Sequence, residues 1–246
     1  MTRVIFLGTA GYHPSETRHT ACVFLPEQGI VLDAGTGFFR LTDRIKTDKL
    51  DIFISHAHLD HTVGLTYIID ILYKHPELKR IALYGANKHL GAIKTHLYYE
   101  SMFPVSPNYE FNVTKDNFEV DGIKVQTALL EHKGDAYGYR FTFKDGKTLA
   151  YITDTAVNER YMPLIKNVDL LIHECNFPDS MEQWAKETKH STTSQVIKIA
   201  KEAHVRRLAL FHFNPLDNSE DPAHLTEARE NFPGVVVAKD LMEIQI

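Results

Sequence analysis

Short apolar runs broken by glycine and proline open the chain and predict strands over residues 3–7, 21–25 and 30–33, punctuated by Gly8, Gly11, Pro26 and Gly29. After the turn Ala34-Gly35-Thr36-Gly37, residues 38–45 read as a helix. Asp51-Ile52-Phe53-Ile54-Ser55 reads as a buried strand, and residues 62–73 as a helix with Leu65, Ile68, Ile69 and Leu72 on one face. A strand over 81–84 and a helix over 88–99 complete the first half. The second half repeats the pattern: strands 118–120 and 123–128 flank Asp121-Gly122, a strong hairpin signal, and strands 137–143 and 149–153 flank Lys144-Asp145-Gly146-Lys147. A strand over 168–173, a helix over 193–203, a strand over 208–212, a helix over 221–231 and two closing strands follow. Thr192 with Gln195 three positions later predicts a capping box. Strands and helices in both halves, without linker or repeat, predict a layered α/β sandwich forming one domain over 1–246.

Composition narrows the function classes. The chain has 246 residues, 43% hydrophobic and 24% charged, which is ordinary globular usage and excludes disorder or a pure coiled coil. A chain of this length buries enough apolar surface without a structural metal, so a metal here would serve chemistry. The net charge of -5 argues against a broad basic face for nucleic acid. Two cysteines, Cys22 and Cys175, make no disulfide scaffold and suit a reducing compartment. The opening residues meet Gly8 too early for a signal peptide, and no apolar run approaches a membrane span; a cytoplasmic protein without membrane contact is expected.

The histidines carry the chemistry. Of 14, three fall in Ser55-His56-Ala57-His58-Leu59-Asp60-His61, between a buried strand and a helix. In an extended exit from a strand, residues i and i+2 point the same way, so His56 and His58 can share one metal. Asp60 and His61 then fall at the helix start, turned toward a second position. His132, Asp154 and His212 each end an apolar strand, where sheet proteins commonly build sites. Taken singly, each reads as a satisfied surface or core residue; taken with the 56–61 cluster, they read as ligands.

This set resembles the metallo-β-lactamase superfamily, an αββα sandwich of dinuclear metal hydrolases. The resemblance runs along nearly the whole chain: Leu32-Asp33-Ala34-Gly35, His56 to His61, His132, Thr153-Asp154-Thr155 and Phe211-His212-Phe213. Leu7-Gly8-Thr9-Ala10-Gly11 with Pro14, Arg18 and His19, the segment His173-Glu174-Cys175-Asn176-Phe177, and His190-Ser191-Thr192 resemble the ribonuclease Z-like phosphodiesterase branch. The resemblance implies that His56, His58 and His132 hold one divalent ion and that Asp60, His61 and His212 hold a second, with Asp154 bridging. Zinc is the first expectation for the two ions and manganese the second. Asp33 would orient the ligand loop through hydrogen bonds, and Glu174 would orient His190. Only 21 residues separate His132 from Asp154, where ribonuclease Z carries a long arm that holds transfer RNA. The chain is therefore expected to lack that arm and to form no stable DNA or tRNA complex.

The implied activity is a phosphodiesterase that turns a metal-bridging hydroxide on a small phosphodiester, a cyclic nucleotide or a short RNA. Asp60 would be ligand and hydroxide orienter, and His190 the proton donor to the leaving oxygen. The metal set alone leaves an ester, thioester or lactone hydrolase open, and in another class a metal-binding sensor or scaffold with a retired site. Tyr98, Tyr99, Phe103 and Tyr109 read as a loop packed on its own core, with a ring-binding rim or a homodimer contact as the alternatives.

Overall fold

Strands β1 (Arg3–Gly8), β2 (Cys22–Leu25), β3 (Ile30–Leu32), β4 (Lys49–Phe53), β5 (Arg80–Gly85) and β6 (Glu110–Val113) form one sheet of a computed structural model that describes residues 2–225 and 232–246. The closing strand Glu243–Gln245 joins it on the outer edge of β1. Pairing is antiparallel from that strand through β3 and parallel from β3 to β6. This sheet belongs to a unit made of Met1–Thr114 and Asp240–Gln245. Its core sets Ile5, Phe24, Val31, Ile52 and Leu83 of the strands against Phe38, Leu65, Ile68 and Leu90 of the helical segments.

The second unit comprises Lys115–Lys239 with Ile246. Its sheet contains β7 (Asn117–Val120), β8 (Ile123–Leu130), β9 (Ala136–Thr142), β10 (Thr148–Ile152), β11 (Leu170–Glu174), β12 (Leu208–Phe211) and β13 (Val235–Val237). Here too one half is antiparallel, β7 to β10, and the other parallel, β10 to β13. Parallel pairing lines up strand ends, so the residues leaving β10, β11 and β12 emerge along one edge. β8 runs the same way as β10, because both lie antiparallel to β9, and its exit joins that edge. Ala150, Ile152, Leu171 and Leu210 pack on Leu164, Val196 and Ala200 of the helices. Two mixed sheets flanked by helices agree with the expected fold class.

The hairpin at Asp121-Gly122 forms with φ of 52° and 81°, the left-handed pair that a two-residue turn requires. The capping box of Thr192 and Gln195 is present at the start of the helix Thr193–Glu202. Elsewhere local structure departs from the pattern. The expected helix over 38–45 is a 3-10 helix, Thr36–Asp43. The expected helix over 62–73 breaks into an α-turn Leu59–Thr62, a 3-10 stretch Val63–Tyr67 and an α-helix Ile68–Lys74. Gly64 lies in the 3-10 stretch and packs so closely there that a Cβ would press on the Gly35 carbonyl oxygen and Phe38. The helix expected over 88–99 is α-helical over Asn87–Ala92 and widens into a π-turn over Ile93–Leu97. Short helices at Met162–Ile165 and Glu182–Thr188, and strand β6, gave too few periodic positions to be seen in the sequence. The helix expected over 221–231 falls from 226 on outside the described residues, and 221–225 are not helical. Tyr98 and Tyr109 are buried, their hydroxyls 3.0 Å apart and both donating to the Leu65 carbonyl, whereas Tyr99 is exposed. Among the described residues no helix is long and apolar enough to cross a membrane.

Candidate functional site

In the first unit, β4 delivers Ser55 and His56 from its C-terminal end, and the turn after β3 places Asp33 beside them. Asp33 is fully buried and sits at φ 54°. Its Oδ1 accepts the Ser55 amide proton at 2.7 Å, and its Oδ2 accepts both the Ser55 hydroxyl at 2.7 Å and Nδ1–H of His61 at 2.8 Å. The Ser55 hydroxyl, having given its proton to Asp33, accepts from Nδ1 of His56 at 3.0 Å. Both imidazoles are thus committed at Nδ1, which leaves Nε2 as the lone-pair nitrogen of each. Nε2 of His56 lies 2.9 Å from Nδ1 of His58, and Nε2 of His61 lies 3.2 Å from Oδ2 of Asp60. That Asp60 oxygen also accepts the Tyr12 amide proton at 2.8 Å. Gly35 admits this packing, because a Cβ there would collide with the Asp60 carbonyl oxygen.

In the second unit, Asp154 leaves β10 at φ 28° and His212 leaves β12 at φ 58°, both in left-handed backbone that turns their side chains off the sheet edge. The Asp154 carboxylate is buried and offers one oxygen to each of two imidazoles. Oδ2 lies 3.5 Å from Nε2 of His132, and Oδ1 lies 3.1 Å from Nε2 of His212. The Thr153 hydroxyl donates to Oδ1 at 2.7 Å. Nδ1 of His132 faces the Lys189 carbonyl at 3.4 Å, which again leaves Nε2 for a ligand.

Glu174 ends β11, fully buried. Its Oε1 accepts the Thr155 amide at 2.9 Å and Nδ1–H of His190 at 2.9 Å, and its Oε2 accepts the Asn176 amide at 2.9 Å. Burial alone would raise this carboxyl, but the charge of His190 and its hydrogen bond outweigh that and hold it below the usual carboxylate range. The His190 ring lies 5.0 Å from the His132 ring and 5.7 Å from the His212 ring, nearly parallel to the latter. Glu174, His190 and His212 each have a ligand atom within 4.8 Å of the others. His173 takes no part: burial lowers its pKa, and it is pinned between the Glu174 carbonyl at 2.7 Å and the Tyr161 hydroxyl at 2.9 Å.

The residues fit divalent ions on the chemistry of their donors. Asp33, Ser55 and the Lys189 carbonyl hold the protons of His56, His61 and His132 on Nδ1, and the Asp154 carboxylate has an oxygen beside each of two histidines. Neither thiol joins the set, since Cys22 and Cys175 are buried and burial pushes both thiols well up. A donor set of imidazole nitrogen and carboxylate oxygen suits zinc or manganese. Each sequence-derived candidate lies in one of these two groups: Asp33, His56, His58, Asp60 and His61 in the first unit, and His132, Asp154, Glu174, His190 and His212 in the second. Three positioning residues escaped the sequence reading: Ser55, Thr155 and Asn176. All lie inside quoted motifs, but a hydroxyl or amide carries no spacing signature of its own.

Residues 28–213 match the family described as Beta-lactamase superfamily domain. Ribonuclease Z of Methanosarcina acetivorans is 27% identical over 303 aligned positions, covering 100% of this chain and 98% of the relative. Ribonuclease Z of Archaeoglobus fulgidus is 26% identical, with 99% of this chain and 97% of the relative covered. Since 303 aligned positions accommodate 246 residues, several dozen positions of the Methanosarcina protein face gaps in this chain. Among solved structures, the short form of human tRNase Z matches with a TM-score of 0.79 at 24% identity over 99% of both chains. The metallo-beta-lactamase fold protein YhfI from Bacillus subtilis matches at 0.81 and 21% identity, covering 99% of this chain and 98% of that one. These structures share the fold. The expectation of no stable tRNA complex draws no support from relatives named Ribonuclease Z and tRNase Z.

Proposed function

The chain belongs to the Beta-lactamase superfamily domain family and is a metal-dependent hydrolase, and from that premise we propose that it is a phosphodiesterase whose substrate is RNA. The observation that carries this reading is the Glu174–His190 pair, a proton-handling group that none of the ligand positions requires. Relatives named Ribonuclease Z along the full chain favour RNA over the ester, thioester and lactone substrates.

In this reading His56, His58 and His132 hold one divalent ion, Asp60, His61 and His212 the other, and Asp154 serves both, with zinc preferred to manganese. Two such ions, when bound, lower the pKa of water and offset charge on the phosphoryl oxygens. The chain's own residues do the rest. Asp60, fixed by the Tyr12 amide, orients the attacking water. His190, with Nδ1–H held by Glu174, carries a proton at Nε2 and gives it to the leaving oxygen as the phosphorus–oxygen bond breaks. Glu174 fixes the ring orientation and stabilises the imidazolium, as a buried carboxylate does in hydrolases that pair histidine with an acid.

The test is hydrolysis of single-stranded RNA and of bis-p-nitrophenyl phosphate by metal-stripped protein titrated separately with Zn²⁺ and Mn²⁺. Metal-dependent turnover of both supports the reading. Turnover of a thioester or lactone with none of any diester overturns it.

A further inference from the structure

A pocket of about 650 Å³ opens in the first unit, lined by none of the candidate ion ligands, and the proposed reaction gives it no role. Its walls include Pro14, Phe39, Tyr67, Tyr73, Asp70 and Lys74. From these walls we infer that the pocket is a nucleobase subsite, which takes one unpaired base of the RNA substrate beside the scissile bond.

Three features of the pocket select that ligand. Its volume lies within the range that small-molecule sites occupy. Three of its lining residues are aromatic, Phe39, Tyr67 and Tyr73, and Phe39 is 47% exposed and Tyr73 88% exposed, far from the burial that aromatic side chains usually reach. Exposed aromatic faces are what proteins use to stack unpaired bases, because every base presents a π-face. Two charged side chains, Asp70 and Lys74, line the pocket as well. Asp70 is an acceptor for a base amine, and Lys74, whose ammonium lies 3.7 Å from the exposed Asp43 carboxylate, is a cation that a neighbouring phosphate could share.

The platform is preset. The Phe39 ring lies 5.0 Å from the His19 ring and 5.6 Å from the Arg40 guanidinium carbon. His19 is held in turn by the Thr36 hydroxyl at 3.1 Å, and Arg40 by the Asp240 carboxylate at 2.6 Å.

Two chain segments that line the pocket run on to contacts with the candidate ligand Asp60 in the same unit. Tyr12 gives its amide proton to Asp60 Oδ2, and Pro14, two residues on, forms part of the pocket wall. Two residues span at most about 7 Å. Thr36, which also lines the pocket, follows Gly35, which abuts the Asp60 carbonyl. A base seated here would therefore belong to a nucleotide close to the bond being cut. A chain with net charge -5 would gain from such a stacking site what it lacks in broad basic surface.

This subsite rests on the RNA phosphodiesterase reading, but its test does not require turnover. Binding of a fluorescein-labelled single-stranded octaribonucleotide to metal-free protein is followed by anisotropy at fixed salt, for wild type, Tyr73→Ala, Phe39→Ala and Tyr73→Phe. Stacking of one base changes affinity by roughly fivefold to a hundredfold. We expect Tyr73→Ala and Phe39→Ala each to weaken binding about tenfold, with Tyr73→Phe keeping wild-type affinity. Equal binding by Tyr73→Ala and wild type, or no binding by wild type, overturns the subsite whatever the cleavage assay shows. Binding that Tyr73→Ala weakens, in a metal-loaded protein that cleaves no RNA, supports base stacking in the pocket and overturns RNA as the substrate instead.

Discussion

Glu174 Oε1 lies 2.9 Å from Nδ1 of His190, and the same oxygen accepts the Thr155 amide proton from the turn that carries Asp154. One fully buried carboxylate therefore ties the proposed proton donor to the backbone beside a proposed ion ligand. If His190 protonates the leaving oxygen, its importance should scale with how badly the leaving group needs that proton. His190→Ala should lower kcat on RNA by about a hundredfold or more, the usual range for a general acid. On bis-p-nitrophenyl phosphate, whose leaving group departs readily as an anion, the loss should be far smaller. Parallel kcat measurements on the two substrates check this, and equal losses on both would remove His190 from the proton path.

Asp33 touches no proposed ion position, yet it fixes the tautomers of His61 directly and of His56 through Ser55. Asp33→Asn should therefore weaken metal binding by about tenfold to a hundredfold, the usual effect of losing such a partner. Calorimetric titration of stripped protein with Zn²⁺ measures it, and unchanged affinity would show that the ligand loop holds itself.

Gly64 tests the packing of the 59–67 segment. A methyl group there meets the Gly35 carbonyl and Phe38, a core residue of the first unit. Gly64→Ala should destabilise by about 1–3 kcal/mol, the common penalty for overpacking. Denaturant unfolding reports it, and a wild-type midpoint would mean that the 59–67 segment relaxes freely.

Asp169 offers a pH test away from the candidate site. Burial would raise its carboxyl, but the Thr148 amide at 3.0 Å, the Thr148 hydroxyl at 3.0 Å and the Lys147 ammonium at 3.3 Å hold it below the usual range. A carboxyl depressed in the folded state adds stability above its unfolded pKa of about 3.9 and loses it as pH falls through the folded value. Asp169→Asn should thus be less stable than wild type at neutral pH, with the gap closing on acidification below about pH 4. A gap that stays constant with pH would assign the loss to packing alone.

The sequence made visible those parts of the site that rest on spacing. His56, His58, Asp60 and His61 stand out because a strand exit and a helix start fix where four close residues point. His132, Asp154 and His212 stand out because each closes an apolar run. What stayed hidden depends on geometry with no periodic trace. The 62–73 segment has one apolar face and reads as a continuous helix, and the close approach of Gly64 to Gly35 within its 3-10 stretch leaves no periodic trace. The shared oxygen of Glu174 joins residues 16 and 19 positions away, and no pattern announces it. The pocket at Phe39 and Tyr73 combines a 3-10 helix with the last turn of an α-helix, and helical periodicity alone would have placed neither ring.

The rate of single-stranded RNA cleavage, followed as metal-stripped protein is titrated with Zn²⁺, tests the RNA phosphodiesterase directly. Cleavage should rise with added metal, saturate at two ions per chain and be abolished in His58→Ala. Two ions bound per chain with no cleavage of RNA or of any other phosphodiester would contradict it.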